Sequence, residues 1–256
     1  MKYTPRYFKE NLPTVKNSKS SFLVRHFYRK VSFCFSSLAY MAGLTANRVS
    51  FLGTLIAYVA AGFYLFPFKV VQILGGIMTA VWLVSDCVDG NLARCVEKQP
   101  YGEFVDAVGS YTIVALILPA VGFAAYNGGS VFLNYSPWVV LLGGLGGLAD
   151  ALARLYFQKY SNEKKDVKGL EKNIDVSNEG NIAKLHAIHM RVSKEVGISG
   201  IMIPFLILAT IFDWLDIFVV FYFLFYGANY IANFVVLLKN TGCLKKINKK
   251  SGLHMN

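Results

Sequence analysis

The residues that invite chemistry are acids in an apolar setting. Toward the end of one apolar stretch the chain reads Ser85-Asp86-Cys87-Val88-Asp89-Gly90-Asn91-Leu92-Ala93-Arg94, and the next stretch opens Tyr101-Gly102-Glu103-Phe104-Val105-Asp106. On a helix Asp86 and Asp89 share a face, Ala93 lies one turn further along it and Gly90 is adjacent; Gly102 lies one turn before Asp106. An acid inside a membrane span costs about 2.5–3.5 kcal/mol on insertion scales, so three of them together call for a compensating partner. A set of carboxylates is a hard, all-oxygen donor group, which suits Mg2+ or Mn2+ better than zinc. Such cations complete their shells with water and phosphate oxygens, so a diphosphate substrate follows. An intramembrane salt-bridge cluster with Arg94 and Arg48, or an ion pathway through a transporter, would use the same acids. Neither requires the small residues Gly90, Ala93 and Gly102 at helix-spaced positions.

For these side chains to meet, two helices must run antiparallel through the short 94–101 turn. The composition supports helices in a bilayer: 55% of the residues are hydrophobic and 16% charged, too apolar for a soluble domain. Stretches near 47–66, 70–93, 102–126, 136–157, 197–213 and 214–238 approach the roughly 20 apolar residues that a spanning helix needs. The net charge of +11 does not form one patch. Of 26 Lys and Arg, all but Lys69 and Arg154 fall in 1–48, 94–101, 158–197 and 239–256, segments that six crossings place on one side. The positive-inside rule makes that side cytoplasmic, both termini included. Residues 21–40 carry Arg25, Arg29 and Lys30 among aromatic and aliphatic side chains, and read as an amphipathic helix lying in the headgroup plane. Ile182, Leu185, Ile188 and Val192 have helical spacing and predict a second surface helix. The expectation is one all-α domain: a cytoplasmic region over 1–45, a six-helix core over 46–238 and a basic tail over 239–256. Cys34, Cys87, Cys95 and Cys243 lack the spacing of a disulfide framework or zinc site, and the polar start has no secretory signal pattern. Basic segments lying against headgroups disfavour nucleic acid as a partner.

The acidic motif resembles the signature of the CDP-alcohol phosphotransferases, D-x2-D-G-x2-A-R-x8-G-x3-D-x3-D. Asp86, Asp89, Gly90, Ala93, Arg94, Gly102 and Asp106 match it. The resemblance implies six transmembrane helices preceded by a cytoplasmic amphipathic helix, and an activity in which CMP is displaced from a CDP-activated lipid or alcohol by an acceptor. It further implies that Asp86, Asp89 and Asp106 bind two metal ions, that Gly90 and Ala93 line the cytidine pocket, and that Arg94 supports the phosphate region. Thr45-Ala46-Asn47-Arg48 is similar to the family's Thr-Pro-Asn entry to the first helix, with Ala46 in place of proline and Asn47 near the nucleotide. A homodimer in a bacterial inner membrane, with its active site facing the cytoplasm, also follows from the resemblance and the charge pattern.

The likeness has two departures. The spacer between Arg94 and Gly102 is seven residues, and Ser110 stands where the family has the fourth aspartate, its general base. Serine is not a competent base at neutral pH. Three readings stay open: Glu103 substitutes, the acceptor is already ionised, or the chain is inactive. Some family members with phosphorylated acceptors carry arginine near the place of Arg154, which points to Arg154, with His186, His189 or Arg191, as the site of an anionic acceptor headgroup. A local Asp150–Arg154 helix pair is the competing account. Phosphatidyl transfer in phospholipid synthesis is the expected reaction; transfer from a CDP-linked polar alcohol in surface-glycan or lipid modification, and a non-catalytic or transport protein with the same fold, are the alternatives.

Overall fold

Apolar residues in runs long enough for five or six turns, separated by Gly, Pro and charged clusters, leave the backbone of a membrane chain one local solution, since the helix satisfies its own N–H and C=O groups. In a computed structural model, whose described residues are 2–13, 20–128, 130–170 and 191–240, every regular element is helical. The helices are α1 (Pro5–Asn11), α2 (Arg29–Met41), α3 (Ala46–Phe63), α4 (Lys69–Cys95), α5 (Gly102–Tyr126), α6 (Pro137–Leu170), α7 (Met202–Ile211) and α8 (Leu215–Asn240). A π-helical turn, Val24–Tyr28, leads into α2 without a break. Five helices, α3 to α6 and α8, are long and apolar enough to cross a membrane. The chain is thus a polytopic, all-α membrane protein. Its outward faces carry exposed Phe51, Leu55, Val70, Ile77, Leu145 and Ile231, an arrangement that lipid tolerates and water does not.

The helices pack where small residues let backbones touch. A Cβ on Gly75 of α4 would lie 2.9 Å from the carbonyl oxygen of Ala60 on α3, and one on Gly143 of α6 would lie 2.5 Å from that of Leu118 on α5. Without a hydrophobic force between helices in lipid, close approach of this kind supplies the packing energy. Tyr64, Ile113, Ile117, Leu118, Leu206 and Phe218 fill the fully buried centre. At one end of the bundle, α1 inserts Phe8 beneath Ala39, Val49, Val88 and Leu92, which fixes the ends of α2, α3 and α4 relative to one another.

The stretch 197–213 is not one continuous helix: α7 has ten residues, about 15 Å long at 1.5 Å per residue, against a hydrocarbon core of about 30 Å. Turns over 197–201 precede it. The segment nevertheless runs from Ser199, whose carbonyl accepts from Ser21, to Thr210, whose hydroxyl is 3.0 Å from Tyr64 Oη, and to Asp213, 2.7 Å from Lys69 Nζ at the start of α4. Gly197 and Gly200 in its first part are the sequence reason that the helix starts late. Ile182, Leu185 and Ile188 lie outside the described residues; 191–196, which includes Val192, is helical.

α2 shows an inverted polarity. Its protein-facing side carries Arg29, Ser32, Ser36 and Ser37, all buried, and its exposed side carries Phe35, Leu38 and Met41. A helix on a soluble core would do the opposite.

Candidate functional site

The last turns of α4 and the first turns of α3 and α5 meet around one open cavity of about 600 Å3. Thr45 caps α3, its hydroxyl accepting from the Arg48 N–H at 3.4 Å, so Ala46, Asn47 and Ser50 face the cavity from the first turn. Tyr101, in the left-handed conformation at φ 59°, turns the chain from the 94–101 segment into α5. From α4 the wall receives Asp86, Asp89, Gly90, Ala93 and Arg94; from α5, Gly102 and Asp106. All the motif residues singled out by spacing therefore border the same space, with Asn47.

Within the wall, Asp89 is 7% exposed and accepts the Ser50 hydroxyl at 2.5 Å. Asp86 and Asp106 lie within electrostatic range of it, so three acidic side chains crowd one side of the cavity. Asn47 Nδ2 donates to the Pro100 carbonyl at 2.9 Å, which ties α3 to the 94–101 turn, while its Oδ1 is buried with no hydrogen-bond partner among the described residues. Arg94 folds back on its own helix, Nη1 donating to the Gly90 carbonyl at 2.6 Å. A Cβ on Gly90 would meet that guanidinium at 2.5 Å, whereas one on Gly102 would meet only Asn47 Oδ1, at 3.4 Å. Gly90 thus makes room for Arg94.

Ser110 is not in the cavity lining. It borders a void of about 10 Å3 one turn deeper, enclosed also by Asp86, Asp89, Asp106, Ser50 and Ser85, a space of roughly one water. Glu103 does line the cavity, but its carboxylate is largely exposed and 3.6 Å from Lys98 Nζ. Arg154 lies outside the cavity lining: its Nε donates to Asp150 Oδ2 at 2.9 Å along α6, the local helix pair. Arg191 is exposed, and His186 and His189 lie outside the described residues.

Carboxylates joined by the Ser50 hydroxyl and an unmet Asn47 carbonyl oxygen form a hard donor set of the kind a divalent cation takes. Cys87 departs from an all-oxygen lining, since this buried residue also borders the cavity. Among the described residues, no three His, Cys, Asp or Glu side chains are already gathered at one coordination point. A cation held there would draw ligands from its own substrate or from water, as Mg2+ does.

The cavity also carries cations that motif spacing did not flag. Arg29 of α2, Lys98 and Lys194 border the same cavity. Arg29 is 5% exposed; Nη2 donates to Ser20 Oγ at 3.2 Å, and Nε and Nη1 have no hydrogen-bond partner among the described residues. Burial is the main reason its guanidinium is held below its usual pKa. Its helix is fixed by Asn91, fully buried beside the motif, whose Nδ2 donates to Ser32 Oγ and Ser36 Oγ at 3.0 Å each. A signal was present in the sequence: positions 29, 32 and 36 fall on one helical face and are all polar. No protein-family model and no curated protein matches the chain.

Proposed function

We propose that the chain is an integral membrane phosphotransferase that moves a phosphoryl-linked group, phosphatidyl in the default case, from a CDP-activated substrate to an acceptor and releases CMP. The observation that carries this reading is that Asn47, Asp86, Asp89, Gly90, Ala93, Arg94, Gly102 and Asp106 border one cavity of about 600 Å3, the size of drug-scale ligand sites. These are the positions through which the sequence resembles the CDP-alcohol phosphotransferases. In this reading α7 and the turns before it make a sixth crossing, α2 lies in the headgroup plane with Phe35, Leu38 and Met41 in lipid, and the cavity opens to the cytoplasm. The open mouth among basic residues suits a lipid-borne, anionic substrate arriving from the membrane face.

Asp86, Asp89 and Asp106 are the residues that would hold Mg2+ or Mn2+, which when bound neutralises diphosphate charge and polarises the phosphorus under attack. The chain's own residues orient the substrate. Asn47 presents a carbonyl oxygen from α3, Gly90 and Ala93 keep the α4 wall low, and Arg94 stands ready to exchange its Gly90 carbonyl for a phosphate oxygen. In the transfer an acceptor oxygen bonds to phosphorus as the bond from that phosphorus to the CMP oxygen breaks, and CMP leaves with the electron pair. With Ser110 in the deep void and Glu103 turned to Lys98, an acceptor that is already ionised fits this site best, because it needs no proton removed. The expected homodimer enters this proposal as an expectation from the resemblance.

The test is titration of the purified chain in detergent with CDP and Mn2+, followed by CMP release from cytidine-labelled CDP-diacylglycerol with a panel of acceptors. Nucleotide binding that needs the metal is the expected result. Binding of neither nucleotide nor metal leaves a non-catalytic or transport protein as the surviving reading.

A further inference from the structure

Arg29 reaches the cavity from a segment that sequence reading assigns to the membrane surface. Of its side-chain nitrogens, Nη2 donates to Ser20 Oγ at 3.2 Å, while Nε and Nη1 are buried without a hydrogen-bond partner among the described residues. Leaving buried charged donors without hydrogen bonds costs more than leaving neutral ones. Such a group persists when something else recovers that cost. Cys87 and Asp86 lie within its electrostatic range and are part of the answer, opposed by Arg94, yet they leave the two nitrogens without hydrogen bonds among the described residues.

The position of Arg29 is also built and not accidental. Ser32 Oγ donates to the Arg29 carbonyl at 2.8 Å, Ser36 Oγ donates to the Ser32 carbonyl at 2.7 Å, and Asn91 holds both hydroxyls from α4. The guanidinium is thereby referenced to the helix that carries Asp86 and Asp89. Arg29 and Lys194 border the same cavity as the acids, so residues able to bind a cation and residues able to bind an anion share one ligand-sized space.

We infer that Arg29 is an anion-binding residue of the cavity, its Nε and Nη1 holding oxygens of a substrate phosphate, so that the N-terminal helix completes the site. The inference rests on the phosphotransfer reading for its catalytic meaning, but the anion site itself is testable without turnover. Arginine suits this task because its donors are fixed in a plane and stay charged. The phosphate belongs either to the activated donor or to a phosphorylated acceptor, and the two sources are separable.

The experiment is isothermal titration of the purified full chain in detergent with three probes, each with Mn2+: inorganic pyrophosphate, CDP, and inorganic phosphate added to CDP-saturated protein. The proteins are the wild type, Arg29→Met, Arg29→Lys and Asp86→Ala. Arg29→Met should melt at or above the wild-type temperature, since an apolar chain replaces an unmet cation, while its affinity for pyrophosphate falls about 10- to 100-fold. Arg29→Lys should recover part of it. A parallel loss of CDP affinity assigns the donor phosphate; unchanged CDP affinity with lost phosphate binding to the CDP-loaded protein assigns the acceptor phosphate. Equal affinities of wild type and Arg29→Met for all three probes overturn the proposal, as does a wild type that binds none of them. If Arg29→Met does not fold, Arg29→Lys decides, and binding of all three probes indistinguishable from wild type overturns it. Arg29-dependent pyrophosphate binding in a wild type that ignores CDP keeps the anion site and removes the nucleotide reading. CDP binding lost in Asp86→Ala but intact, with phosphate binding, in the Arg29 variants does the reverse.

Discussion

At the end of the bundle away from the cavity, Asp216 is 1% exposed, and its carboxylate collects four backbone N–H groups: Val131 at 3.2 Å, Phe132 at 2.7 Å, Leu133 at 3.1 Å and Ile217 at 2.9 Å. Nearby Asp213 meets Lys69, and Tyr64 meets Thr210. At the other end Asp89, 7% exposed, accepts the Ser50 hydroxyl, with Asp86 and Asp106 in electrostatic range, and Asn47 and Arg29, which border the same space, carry atoms without a hydrogen bond among the described residues. Both regions bury acids in an apolar molecule. Around Asp216 the surrounding protein supplies four donors; around Asp89 it supplies the Ser50 hydroxyl but adds like charge and, among the described residues, leaves Asn47 Oδ1 and Arg29 Nε and Nη1 without a hydrogen bond. Buried polar groups are normally paired, so the first pattern is that of a structural joint and the second that of a place shaped for something that is not protein.

The largest expected effect breaks the cavity side of this contrast. Asp89→Asn should lower metal-dependent CMP release by about 10³-fold, the scale on which a single preorganised electrostatic group acts, without lowering the thermal midpoint measured in EDTA, since one of three crowded charges is removed. EDTA treatment of the wild type should abolish release to the same degree. Retained turnover in Asp89→Asn would place the chemistry elsewhere. At the far end the opposite signature is expected. Asp216→Ala strands buried backbone donors and should cost about 3 kcal/mol of stability, read as a lower melting temperature in detergent, while CMP release per folded molecule stays at the wild-type level. A variant that melted normally would remove the distinction between the two ends.

Asn91→Ala lies between these extremes. It removes two hydrogen bonds that reference α2 to α4, with a stability loss of about 1–2 kcal/mol, and it lets Arg29 wander from the acidic wall. Pyrophosphate affinity should fall by less than it does in Arg29→Met, and Asn91→Ser, which keeps a hydroxyl donor, should restore part of it. An affinity unchanged by Asn91→Ala, beside a measured loss of stability, would confine Asn91 to holding the helices together.

How much of this was legible in the sequence depends on which physical signal each part uses. The motif residues were legible because 3.6-residue periodicity alone puts Asp86, Asp89, Ala93 and Gly90 on one side of a helix and the 94–101 turn brings Gly102 and Asp106 back to them. The long helices were legible because hydropathy over about 20 residues is a strong signal. The break before α7 was not, since Gly197 and Gly200 lie in a run that remains apolar on average. Arg29 was missed for a different reason: one segment served two surfaces, and the aromatic face of residues 21–40 dominated the pattern over the narrow polar stripe of Arg29, Ser32 and Ser36. Ser50 and Asn91 carry no charge and no spacing signal, and only the tertiary arrangement gives each its partner.

The smallest effect tests whether the far end behaves as a solvated edge. The side chains of Lys69 and Asp213 are 46% and 51% exposed with their charged atoms 2.7 Å apart. Half-exposed pairs of this kind are worth about 0.2–1 kcal/mol in water because attraction is screened and two long side chains lose freedom. Lys69→Ala should therefore shift the melting temperature by less than Asp216→Ala and leave CMP release untouched. The same pair in a lower-dielectric headgroup layer would interact more strongly, and raising the salt concentration separates the two cases. In water the difference between wild type and Lys69→Ala should shrink further at high salt; a large difference that salt does not reduce would mean that this end sits deeper in the bilayer than its exposure suggests, and that the starts of α4 and α8 are held within the membrane instead of at its edge.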